Sequence, residues 1–127
     1  MYKLIILLFV PLVCFSQISN QNKYEVLDFD IFKKNIELEN VLLIDVRTNE
    51  EYSDGHIKGA VNIDYYNENV FNSYFKNIDK NKPLYIYCRS GNRSRRSSDK
   101  LIDLGFLKIY DLKDGYVSWS NNQKKEN

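Results

Sequence analysis

Cys88 is followed by Arg89-Ser90-Gly91-Asn92-Arg93-Ser94, a short polar run with one glycine that leads into a helical stretch. A loop of this kind, between a strand end and a helix start, can curl so that successive backbone N–H groups converge on one point. The helix N-terminus adds roughly half a positive charge there. Both effects stabilise negative charge on a sulfur, the form in which a cysteine is nucleophilic. Arg89, Arg93, Arg95 and Arg96 surround the loop with no acid before Asp99, so an anionic substrate is drawn in. Gly91 supplies the backbone freedom that a tight turn needs. An inert cysteine on a core strand, followed by a solvated basic turn, is the competing reading. Inert thiols do not sit in such an electropositive setting, and the reactive reading is preferred.

Other chemistry is scarce in the chain. The only other Cys is Cys14 and the only His is His56, too few for a four-ligand zinc site or the four thiolates of a typical iron–sulfur cluster. No metal and no cofactor is expected. His56, between Gly55 and Gly59, is imaginable as a base for Cys88, but a histidine bonded to nearby backbone is the better reading. Asp45 and Arg47 close a central apolar strand, where a buried ion pair or a loop-bracing bond is favoured over substrate contact. Lys and Arg number 18 against 17 Asp and Glu, which argues against gripping nucleic acid or membrane through bulk charge. The arginines of 89–96 lack the interleaved aromatics of an RNA-binding surface. The ten Tyr and seven Phe read as packing for a small domain, with Trp119 anchoring the last helix.

The elements that must position Cys88 alternate between two periodicities. Strands are expected at 24–27 (YEVL), 41–46 (VLLIDV), 60–63 (AVNI), 84–88 (LYIYC) and 108–112 (KIYDL). Helices are expected after Asp28 or Asp30, at 49–54, 68–78, from Ser94 to Leu104 with Gly105 as terminator, and around 115–121. Such alternation means an α/β fold, a parallel sheet covered by helices. Ligands on such sheets gather beyond the C-terminal strand ends, where Cys88 stands. With 127 residues there is room for one domain. Ahead of it, Lys3 and the apolar run Leu4 to Phe15 have the layout of a secretory signal peptide over residues 1–16, cleaved after Ser16. The run is short for a membrane span, so no stable membrane insertion is expected after cleavage. Residues 122–127 (NQKKEN) read as a loose polar tail. Removing 1–16 leaves basic and acidic residues equal in number and Cys88 as the one thiol, in a periplasmic or secreted protein.

The run CRSGNRS resembles the active-site loop of the rhodanese sulfurtransferases. Residues 44–52 (IDVRTNEEY), 55–63 (GHIKGAVNI) and 105–119 (GFLKIYDLKDGYVSW) are similar to that family's other motifs, in order. Asp114-Gly115 stands where two glycines are common, a departure that touches the last turn rather than the chemistry. The resemblance covers residues 22–121 and implies one rhodanese-like domain, a five-stranded parallel sheet flanked by helices on both faces. It implies a sulfurtransferase in which Cys88 carries sulfur as a persulfide, with the loop Arg89, Ser90, Gly91, Asn92, Arg93 and Ser94 binding substrate. A small anionic donor such as thiosulfate and a thiol, cyanide or protein-thiol acceptor are the implied partners. Two other classes compete. A Cys-dependent phosphatase or arsenate reductase of the related fold has its arginine six positions after the cysteine. Here Arg93 stands five positions after Cys88, and Tyr87 replaces the histidine common there. The other is a non-catalytic module that binds persulfide or senses redox state.

Overall fold

The computed structural model describes residues 24–38 and 40–127. The signal peptide expected at 1–16 and the domain start expected at 22 lie outside these. Ten elements alternate: β1 (Tyr24–Leu27), α1 (Phe29–Leu38), β2 (Leu42–Asp45), α2 (Asn49–Asp54), β3 (Val61–Asn62), α3 (Glu68–Lys76), β4 (Leu84–Tyr87), α4 (Asn92–Asp103), β5 (Ile109–Leu112) and α5 (Gly115–Glu126). The strands form one parallel sheet in the order β1-β5-β4-β2-β3. Leu42 pairs with Leu84, and Leu84 with Ile109. The expected α/β architecture is the observed one.

The apolar runs are continuous because the central strands are covered on both faces. Alternation along each strand then decides which helix a side chain meets. Ile44, Ile86, Cys88 and Ile109 pack with Phe71 and Phe75 of α3 and Leu101 of α4. Leu43, Tyr85, Tyr87 and Leu112 pack with Phe32 of α1 and with Tyr52, Tyr116 and Trp119. The chain leaves β2 outward to the edge strand β3, then returns to β4 and moves to β5 on the other side. The C-terminal ends of β2 and β4 therefore flank the point where the strand order reverses, the place where open α/β sheets form crevices.

Two boundaries differ from expectation. Helix α4 starts at Asn92 rather than Ser94, because Gly91 takes a left-handed conformation (φ 107°) and caps it. Helix α5 runs to Glu126 rather than ending near 121, so residues 122–126 are helical and not a loose tail. Trp119 packs edge-on against Phe29 of α1, with ring centroids 5.2 Å apart, and Lys33 reaches Glu126 at 2.6 Å. These contacts tie α5 to α1 along its length.

Candidate active site

Cys88 directly follows the most buried strand, β4, and is itself 1% exposed. Its Sγ accepts a hydrogen bond from the Gly91 N–H at 3.1 Å and lies 3.4 Å from the Ser94 hydroxyl, which in turn donates to the Gly91 carbonyl at 3.2 Å. The loop has thus curled back so that its glycine amide points at the sulfur. No side chain caps α4, and its first turn holds no acid. The first-turn N–H groups of Asn92, Arg93 and Ser94 have no partners within the helix. The positive end of α4 is left to act on whatever occupies the loop.

The loop is anchored from α5. The Tyr116 N–H donates to the Cys88 carbonyl at 2.8 Å and the Val117 N–H to the Arg89 carbonyl at 3.0 Å. These are two of the amides that the start of α5 would otherwise leave unsatisfied. The approach requires glycine at 115, where a Cβ would overlap both carbonyl oxygens. Asp114 enters this turn at φ 58°, a left-handed conformation uncommon for a residue with a side chain. The turn at 114–115 is therefore not remote from the chemistry, as its sequence suggested. It holds the cysteine loop in place.

On the β2 side the charges are paired. Asp45 is fully buried and Arg47 is 4% exposed. The Arg47 guanidinium donates to both Asp45 carboxylate oxygens, at 2.7 and 3.0 Å, and to the Gly55 carbonyl at 2.7 Å. It also stacks 4.2 Å from the Tyr116 ring, so the expected ion pair also braces the loop after α2. Asn62 donates to the Asp45 and Arg47 carbonyls and fixes the exit of β2. Arg93 reaches across to α2, where both Glu51 oxygens accept from it at 2.7 and 2.8 Å. Glu51 also closes a capping box with Thr48. The Arg93 bonds above all hold the Glu51 carboxyl down at about 2; burial opposes them, and the Thr48 bonds add smaller lowering effects. His56 stacks on Tyr52 and bonds the Tyr52 carbonyl at 2.8 Å, the backbone role expected of it.

Two cavities border the loop. One, of about 370 Å³, lies between α2 and α5 and is lined by Arg47, Glu51, Arg89 and Tyr116 among others. The other, of about 200 Å³, lies toward β5 and is lined by Ser90, Gly91, Arg95 and Asp111 among others. The structure thus brings Gly91 and Ser94 to the sulfur, sends Arg89 and Ser90 to opposite cavities, and commits Arg93 to Glu51. Asp111 is not among the residues that the sequence marks as candidates for the site. It is 3% exposed, and its Oδ1 is buried without a hydrogen-bond partner. A usable signal was present, since alternation along 108–112 puts Asp111 on the same face as the core residue Ile109.

Comparison with known proteins follows the same outline. Residues 28–122 match the model of the rhodanese-like domain. Thiosulfate sulfurtransferase 16, chloroplastic, of Arabidopsis thaliana is 34% identical over 91 residues, which cover 62% of this chain and 73% of that protein. A tRNA uridine(34) hydroxylase of Pelagibacter ubique is 32% identical over 108 residues, covering 85% of this chain and only 36% of the hydroxylase. The chain thus spans about a third of that relative's length. A rhodanese-related protein from Thermoplasma volcanium superimposes with a TM-score of 0.67 at 27% identity, over 78% of this chain and 93% of that one. With the match spanning four of its five strands, its cysteine loop and most of its last helix, this chain belongs to the rhodanese-like domain family.

Proposed function

We propose that the protein is an exported sulfurtransferase that moves a sulfane sulfur from thiosulfate, or a similar small anionic donor, to a thiol or cyanide acceptor through a Cys88 persulfide. One observation carries this reading. The Gly91 N–H and the Ser94 hydroxyl converge on Cys88 Sγ at a helix N-terminus that no side chain caps. In the first half-reaction the Cys88 thiolate attacks the outer sulfur of thiosulfate. The S–S bond of the donor breaks, and sulfite leaves with the bonding electron pair. The persulfide left on Cys88 carries its negative charge on the outer sulfur, which the loop amides stabilise as an oxyanion hole stabilises oxygen. An acceptor nucleophile then attacks that outer sulfur and returns the thiolate, so ping-pong kinetics are expected. Arg89, in the wall of the larger cavity, is the residue favoured for attracting the donor, because Arg93 is already held by Glu51. Export rests on the run Leu4 to Phe15, and Gln17 is then the N-terminus of the mature protein.

The test is a mass measurement. Thiosulfate should add one sulfur atom to the wild-type protein, cyanide should remove it, and Cys88→Ser should take up none. A Cys88→Ser variant that still transfers sulfur would falsify the assignment. Four residues separate Cys88 from Arg93, one fewer than a phosphatase cradle holds, so hydrolysis of p-nitrophenyl phosphate should be negligible. Phosphatase turnover exceeding sulfur transfer would reverse the reading.

A further inference from the structure

The Ser94 hydroxyl has one proton and several claimants. It donates to the Gly91 carbonyl at 3.2 Å, and Cys88 Sγ lies 3.4 Å away, positioned as a thiol to donate to the Ser94 oxygen. Once Cys88 ionises, its sulfur can only accept, and it then competes with the Gly91 carbonyl for the same proton. The Ser94 hydroxyl also acts on the carboxyl of Asp111, which is buried on β5 in the wall of the smaller cavity, with Oδ1 unpartnered. A carboxyl so placed is a second acceptor when ionised and a donor when protonated. Buried polar atoms in native proteins are rarely left unpaired, and an exception beside a nucleophile calls for an explanation.

We propose that Asp111 is a positioning residue for the sulfur chemistry: through the Ser94 hydroxyl it decides whether that hydroxyl's single proton is turned toward the Cys88 sulfur or away from it. With Asp111 protonated, its O–H donates to Ser94 Oγ and the Ser94 proton is free for the thiolate or persulfide. With Asp111 ionised, its carboxylate takes the Ser94 proton and places a second negative charge near the sulfur. The inference rests on Cys88 being the sulfur-carrying nucleophile.

The surroundings put this exchange within reach of ordinary conditions. Burial raises the Asp111 carboxyl to about 7, partly opposed by the Ser94 hydroxyl and the Arg95 guanidinium. Tyr24 faces it from β1, Arg95 and Asp99 belong to the same group on α4, Cys88 directly follows the neighbouring strand β4, and Lys113 and Asp114 border the cavity from the following turn. Below that pH the donor arrangement holds, and above it the acceptor arrangement takes over. Reactivity at Cys88 should then climb less steeply above pH 7 than ionisation of the thiol alone would make it. Asn at 111 offers Ser94 an amide N–H at every pH and imitates the protonated acid.

The experiment follows carbamidomethylation of Cys88 by iodoacetamide, read on its own peptide by mass, from pH 5 to 9. Wild type should show an inflection near pH 7 that Asp111→Asn lacks. At pH 8 the variant should react about threefold faster, the effect of one hydrogen bond to a charged group softened by the lower nucleophilicity of a better-stabilised thiolate. In a Ser94→Ala background the Asp111→Asn change should no longer alter the profile. Superimposable wild-type and Asp111→Asn profiles would overturn the proposal, as would an undiminished Asp111 effect without the Ser94 hydroxyl. A merely structural Asp111 would shift the melting temperature and leave the profile where it was. Alkylation needs no sulfur donor, so the two readings fail separately. Sulfur uptake that fails beside an Asp111-dependent profile removes the sulfurtransferase reading, and the reverse pattern removes the role of Asp111.

Discussion

The two flanks of the Cys88 loop are built on opposite electrostatic plans. Toward α2 each buried or half-buried charge has found its counterpart: Arg47 on Asp45, Arg93 on Glu51. Toward β5 a carboxyl is buried with one oxygen unpaired, beside a cavity. A paired wall is stiff, because moving any member exposes a charge in a poorly solvating place. An unpaired carboxyl is the reverse, destabilising when ionised and free to change its protonation. The loop between them is held on one side by ion pairs and bordered on the other by a buried carboxyl that burial raises to about 7.

The largest effect should come from breaking the paired flank at its deepest point. Arg47→Ala leaves the Asp45 carboxylate fully buried, without the guanidinium that both its oxygens accept from and without the tie to Gly55. Removing one partner of a buried pair costs about 3–5 kcal/mol. Urea denaturation at pH 7 measures it, and a loss under about 1 kcal/mol would mean this flank is no stiffer than the other.

A change of opposite sign is expected across the loop. The folded-state value for Asp111, about 7, lies above its ordinary 3.8. A raised value means that stability is fully present below the unfolded value and is lost as pH climbs through the folded one. The wild type should therefore weaken between about pH 4 and pH 7, by up to the order of 4 kcal/mol at one pKa unit per 1.36 kcal/mol. Asp111→Asn should abolish that slope. The variant should be the more stable protein at pH 8 and nearly equal to wild type at pH 4, in melting curves taken at both. Equal stability at pH 8 would show that Asp111 already has its partner.

How much of this contrast was visible in the sequence depended on the range of the interactions behind it. Strand β1 is legible to the residue and the other four lie within the stretches that mark them; β2 and β4 are the plainest, because burial on both faces writes itself as an unbroken apolar stretch. The start of α4 was missed by two residues, since Asn92 and Arg93 look like loop and only the left-handed Gly91 reveals the cap. The end of α5 was missed because what holds it, Phe29 against Trp119 and Lys33 against Glu126, comes from a helix some ninety positions earlier. The loop around Cys88 could be read as a unit, being local. The partner of Arg93 could not, because Glu51 is 42 positions away and in sequence is just one acid of a capping box. The cause of that blindness was the same in both cases: local pattern carries local geometry, and pairing across the sheet is tertiary.

The smallest predicted effect separates the two loop arginines. Both stand in CRSGNRS and neither is distinguished there, yet Arg93 spends its guanidinium fork on the two Glu51 oxygens while Arg89 lines the larger cavity. An arginine whose charge is already matched attracts a further anion weakly. Arg89→Ala should therefore raise the thiosulfate KM by about fivefold and Arg93→Ala by less than about twofold, with each effect carried by a single charge–charge contact near the surface. Glu51→Gln sharpens the test by releasing Arg93 without removing it: the KM should fall below the wild-type value, and Arg93→Ala made in that background should reverse the gain. Acid should not achieve the same release under assay conditions. With its carboxyl held at about 2, Glu51 keeps its charge far below its ordinary 4.5, and the stability it contributes is lost only as pH falls through that lower value. Equal KM changes for Arg89→Ala and Arg93→Ala would mean that the Glu51 pair opens when the donor binds, and the paired flank would then be a gate rather than a wall.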